Sequence, residues 1–146
     1  MEKKEFKIDI QAPRERVWDI LWSKDSYQQW TSVFAEGSTV ETDGWKKGSK
    51  VLFLDGKGQG MVSRVADNRP NEFMSFEHLG VVKDGVEDTN KEGKEWAGAL
   101  ENYSLKTQEG KTELVVDMDI AEEYKDYFNT TWPKALEKIK ELAEKN

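Results

Sequence analysis

His78 is the only histidine in the chain, and it stands beside Glu77 in a stretch that alternates like a strand. An imidazole exchanges protons near neutral pH, so a histidine oriented by a carboxylate can act as a general acid or base. Glu77 and Glu101 are the candidates for that orienting role, provided that the strands pair suitably. The plainer alternative is a strand histidine hydrogen-bonded near the rim of a sheet. No Ser, Thr or Asp nearby in sequence makes a convincing triad context. Glu101 lies in the run Ala97 to Leu105, where alternation puts Ala97, Ala99, Glu101, Tyr103 and Leu105 on one face. If Tyr103 and Leu105 point inward, Glu101 does too, and a buried carboxylate must be paired or protonated. It could then fix the polar end of a ligand or act as a base. A bulge at Gly98 or Asn102 would turn it to solvent instead.

Other patterns carry less chemistry. Gly56, Gly58 and Gly60 form a Gly-x-Gly-x-Gly string, but a phosphate cradle needs such a loop to open directly onto a helix N-terminus. Met61 to Ala66 reads as a strand, so the glycines mark a hairpin turn. Asp117 and Asp119 share one strand face while Leu114, Val116, Met118 and Ile120 take the other, the pattern of a solvated outer face. The chain has no cysteine, which excludes disulfides, thiol nucleophiles and thiolate metal sites. With a single histidine besides, no metal or other cofactor is implied.

The elements that must position these groups read in order. Phe6, Ile8 and Ile10 alternate with polar residues as a half-buried strand does. Pro13 suits the first turn of a helix. Val17, Ile20 and Leu21 follow at helical spacing up to Trp22, with Trp18 and Trp22 as an adjoining ridge. Ser23 breaks the pattern, and Lys24 to Trp30 reads as a second short helix. Six strands separated by turn residues follow: Thr39–Thr42, Ser49–Leu54, Gly60–Ala66, Glu72–Leu79, Trp96–Thr107 and Thr112–Ile120. Val82 to Glu95, dense in Gly, Asp, Glu and Lys, reads as a long mobile loop. Phe128, Trp132, Ala135, Leu136, Ile139, Leu142 and Ala143 then trace one face of a helix. Pro133 either kinks a helix begun near Glu122, the reading we favour, or sits in the first turn of one begun near Thr131. The fold class is α+β: a curved antiparallel sheet of about seven strands wrapped on a long C-terminal helix, with two short helices after the first strand. No internal repeat or linker divides residues 1–146, so they are expected to form one domain.

This order, together with particular residues, resembles the START-like helix-grip superfamily (SRPBCC). Within it the chain is similar to the branch of the C-terminal domain of the ATPase activator of the ninety-kilodalton heat-shock chaperone. The matching residues include Ala12-Pro13, Val17-Trp18, Leu21, Tyr27, Trp30, Pro70, Phe73, His78-Leu79-Gly80, Asp84-Gly85, Glu101-Asn102-Tyr103, Leu105, Trp132-Pro133, Leu136 and Leu142. The resemblance implies a deep pocket between sheet and long helix, used by different members for lipids, hormones, polyketides or steroids. Some members are cyclases or hydroxylase components, and the chaperone activator implies a protein partner instead.

Net charge is −7 and the isoelectric point is near 4.9, which argues against nucleic acid and anionic lipid as partners. No run approaches the roughly 20 apolar residues of a membrane span, and the first ten residues lack an apolar signal core, so a cytoplasmic protein is expected. The aromatics exceed what a sheet-on-helix core of this size needs. A curved sheet closes incompletely over a helix, and aromatics commonly line the gap. The candidate wall is Trp18, Trp30, Phe53, Phe76, Trp96, Tyr103, Phe128 and Trp132, with His78, Glu101 and Tyr124 as polar contacts. The first expectation is a binding or carrier domain for a small apolar molecule (a lipid, a polyketide or similar), gated by the loop Val82 to Glu95. The alternatives are a cyclase- or hydrolase-like enzyme using His78 or Glu101, and a chaperone-interaction module acting through its acidic surface.

Overall fold

A computed structural model describes residues 2–90 and 97–145. The chain opens with β1 (Glu2–Ile10), then α1 (Arg14–Trp22) and α2 (Lys24–Thr31). The strands β2 (Thr39–Thr42), β3 (Lys50–Leu54), β4 (Gly60–Arg69), β5 (Phe73–Lys83), β6 (Val86–Asp88), β7 (Leu100–Gln108) and β8 (Lys111–Ile120) follow. A single 3-10 turn, Glu122–Tyr124, leads into the long α3 (Lys125–Glu144). The sheet runs β1-β8-β7-β5-β4-β3-β2, every pair antiparallel, with β6 attached to β5. This is the helix-grip architecture.

α3 lies against β1 and both short helices. Its buried stripe Trp132, Ala135, Leu136, Ile139 and Ala143 meets Val17, Leu21 and Trp30 in one core. Trp132 is a hub of that core, with ring centroids 6.1 Å from Phe6, 6.1 Å from Trp30 and 5.0 Å from Phe34. Pro133 stands inside α3, so the longer of the two helix readings holds. A prolyl ring removes one helical hydrogen bond, and the stripe packed on either side of it offsets that loss. At the far end the Arg16 side chain donates to the carbonyls of Leu142, Ala143 and Lys145 at 3.0–3.2 Å. These are terminal carbonyls that lack intrahelical partners.

The sheet departs from the sequence expectations in three places. Val82 and Lys83 end β5 rather than starting a loop, and Asp84-Gly85 turns the chain into β6. Asp84 and Gly85 both have positive φ, at 51° and 79°, which is the conformation of a tight primed hairpin turn. The polar composition of the segment masked this two-residue signal; its remainder, 91–95, lies outside the described residues. β7 begins at Leu100 and not at residue 96, because Ala97 and Gly98 form a turn with Gly98 at φ 90°. β4 and β5 run past their expected ends because two register shifts keep them paired, with Leu79 extra on β5 and Ala66 extra on β4.

Candidate functional site

The pairing of β5, β7 and β8 decides which way Glu101 faces. It stands opposite Phe76 on one side and Met118 on the other. Residues opposite one another in antiparallel strands project from the same face. Phe76 and Met118 are buried, so Glu101 points inward with Tyr103, its neighbour two residues on. The Tyr103 hydroxyl donates to Glu101 Oε2 at 2.5 Å. His78 arrives from β5, where its backbone bonds to Gly98 and Ala99 hold the start of β7 beside it. Its Nε2 lies 3.3 Å from Glu101 Oε1, with the two side chains 12% and 19% exposed. On the other side of the ring, Nδ1 lies 2.7 Å from Ser63 Oγ. Ser63 is brought there by the register, which sets it opposite His78 across the Leu79 bulge.

The four groups form a connected polar chain. Glu101 accepts from the Tyr103 hydroxyl and faces His78 Nε2, while Nδ1 and the Ser63 hydroxyl share a hydrogen bond whose direction follows the histidine tautomer. Burial, reinforced by the Glu101 carboxylate, pushes the Tyr103 phenol well above its ordinary pKa and raises Tyr27 in the same way. Both phenols therefore remain protonated across the physiological range. Serine, histidine and glutamate in a row resemble a hydrolytic triad, but Ser63 is fully buried and lines no recess. A nucleophile must reach its substrate; Ser63 instead anchors the His78 ring through Nδ1.

Two recesses meet at this cluster. One, of about 340 Å³, lies beneath α2 and α3 against β3 and β7, walled by Tyr27, Trp30, Phe53, Tyr103 and Trp132. The other, of about 310 Å³, lies beside the end of β8 and is walled by Val81, Ala99, Met118, Ile120 and Tyr124. Met61, His78, Glu101, Tyr127 and Phe128 line both, so the polar cluster stands on their common wall.

Of the residues singled out in the sequence, Trp30, Phe53, His78, Glu101, Tyr103, Phe128 and Trp132 line the first recess and Tyr124 the second. Trp18 and Phe76 line neither. Trp18 packs edge-on against Trp22, with centroids 6.0 Å apart, and Phe76 is fully buried against Trp22 and Phe53 at 5.4 and 5.1 Å. Alternation marks a residue as inward but cannot say whether another side chain stands in front of it. Trp96 lies outside the described residues. Sequence reasoning passed over Ser63, Met61 and Tyr127. Tyr127 carried a usable signal, since it directly precedes Phe128 on α3, whereas Ser63 meets His78 only through a bulge.

Residues 11–144 match the model of the family described as Activator of Hsp90 ATPase homolog 1-like protein. The chain belongs to this family. Among solved structures it is similar to the Aha1 dimer from Colwellia psychrerythraea, with TM-score 0.73 and 21% identity over 99% of this chain and 97% of that one. It is also similar to DynU16, a putative protein in the dynemicin biosynthetic locus, with TM-score 0.73 and 14% identity over 99% of this chain and 48% of that one. CalU16 from Micromonospora echinospora aligns with TM-score 0.67 and 11% identity over 97% and 76% of the two chains. No curated protein matches. At these identities the structural likeness speaks for the fold. Among the described residues no helix is long and apolar enough to cross a membrane.

Proposed function

We propose that this domain binds a small, mostly apolar molecule between its sheet and α3. The observation that carries the reading is the common wall of the two recesses, where His78 and Glu101 stand 3.3 Å apart among aromatic side chains and Tyr103 donates to Glu101 from the first recess. Apolar concavities with a few converging polar groups are the usual form of small-molecule sites. Burial of ligand surface contributes about 25 cal/mol per Å² before the costs of ordering. Lipids and polyketides are the chemical types that such walls suit. Calorimetric titration with a panel of fatty alcohols, fatty acids, steroids and aromatic polyketides tests the reading. Trp30 and Trp132 flank the first recess, so their fluorescence offers a second readout. No heat and no spectral change across the whole panel would sink it. If the same cluster also turns a ligand over, His78→Ala and Glu101→Gln should abolish turnover while binding survives.

The family description favours a second reading, interaction with an Hsp90-type chaperone through the acidic surface. It predicts salt-sensitive capture of that chaperone in a pull-down, unaltered by Glu101→Gln because the inward carboxylate takes no part.

A further inference from the structure

Resting on the small-molecule reading above, we propose that these recesses select a mostly apolar molecule ending in a hydrogen-bond donor, an alcohol, phenol or amine, and reject its carboxylate or phosphate counterpart. The inference comes from counting which polar atoms remain unengaged. Both ring nitrogens of His78 face partners inside the protein, Ser63 Oγ at 2.7 Å and Glu101 Oε1 at 3.3 Å. The Tyr103 hydroxyl hydrogen is directed to Glu101. Three other lining hydroxyls are turned to backbone carbonyls: Thr31 donates to Tyr27 at 2.5 Å, Ser38 to Ala35 at 2.6 Å and Tyr127 to Phe34 at 2.9 Å. The Trp132 indole N–H has no partner, but it is closed off from solvent. Glu101 accepts one bond at Oε2, from Tyr103, and faces His78 with Oε1, so both oxygens keep acceptor capacity, since an ionised carboxylate offers about four lone-pair sites. The polar wall therefore presents acceptors to a ligand.

Charge points the same way. Asp55, Glu101 and Asp119 line the recesses, and among the described residues no Lys or Arg does. His78, which also lines both recesses, already faces Glu101 at 3.3 Å, so an anionic head group would meet an excess of negative charge, in surroundings where aromatic walls weaken solvent screening. A donor head group finds a charge-assisted acceptor at Glu101. The phenols of Tyr27 in the first recess and Tyr124 in the second can either give or take, so they do not alter the preference.

The test is calorimetric titration at neutral pH with two matched pairs, naphthol against naphthoate and decanol against decanoate, repeated on Glu101→Gln. The expected result is that naphthol and decanol bind at least about tenfold more tightly than their acids, about 1.4 kcal/mol. The isosteric Glu101→Gln change, with folding checked by circular dichroism, should shrink that gap to within about threefold by removing the repelling charge. Equal or tighter binding of the acids to the unmodified protein overturns the donor assignment while leaving the small-molecule reading intact. A gap that survives Glu101→Gln in a folded variant also overturns it, because the charge at Glu101 is then not the cause. Binding of none of the four compounds overturns both.

Discussion

Raising the pH past the ordinary tyrosine range should unfold this protein through two particular phenols. Tyr27 and Tyr103 are 6% and 2% exposed, and burial together with the Glu101 carboxylate raises the pKa of each. In the unfolded chain both ionise near pH 10, about the model-peptide value. Folded, they stay protonated further up the scale, so above about pH 10 the unfolded state binds fewer protons and stability falls as pH rises. The stabilising contribution is complete below about pH 10 and is lost as pH climbs toward the folded values. By about pH 11 each tyrosine has cost about 1.4 kcal/mol, or about 2.8 kcal/mol for the pair. Urea unfolding measured at intervals from neutral to strongly alkaline pH gives the slope. Tyr103→Phe should lower stability at neutral pH by losing the bond to Glu101, yet flatten the alkaline decline by about half of what the pair contributes. Lysine deprotonation affects both proteins equally and cancels in the comparison. Parallel alkaline curves for the two proteins would refute the argument, because Tyr103 would then ionise as freely folded as unfolded.

Three further outcomes follow from the geometry. Combining Tyr103→Phe with Glu101→Gln should show a coupling energy of about 0.5–3 kcal/mol in a double-mutant cycle by urea unfolding, and additive changes would mean the short contact carries no energy. Gly60→Ala places a Cβ 2.0 Å from the Phe53 carbonyl oxygen across the β3–β4 hairpin, and thermal denaturation should register a loss of about 1–3 kcal/mol. Phe128→Ala removes a half-buried ring that lines both recesses, so stability should drop by about 1–2 kcal/mol, short of the roughly 3–5 kcal/mol for a fully buried Phe. The same variant should accept bulkier ligands in the calorimetric panel, since the two recesses would merge.

Most of the architecture was legible in the sequence because it is written in periods. Phe6, Ile8 and Ile10 on β1 and the stripe from Trp132 to Ala143 on α3 announce their buried faces without any tertiary knowledge. The alternation that placed Glu101 with Tyr103 was sound, and the strand pairing removed the option of an outward turn. What the periods could not carry was anything that changes the count. β6 hides in a segment whose composition is that of a loop, and Ser63 meets His78 only because Leu79 is an extra residue on β5. Depth was equally invisible. Phe53 and Phe76 both point inward, but only Phe53 forms wall, since Phe76 stands behind it at 5.1 Å.

The Leu79 bulge has a consequence for how such a site can change. Before it, the inward residues of β5 are the even-numbered Met74, Phe76 and His78; after it, the odd-numbered Val81 faces the second recess. Parity, and not side-chain identity, thus decides what that end of the strand contributes. Deleting Leu79 would leave Ser63 opposite His78 and Met61 opposite Val81, so the same side chains would stay on the wall. A deletion beyond Gly80 that kept the bulge would instead bring Val82 to the place of Val81. The bulge is thus a point where a single-codon deletion is absorbed without changing which side chains face either recess.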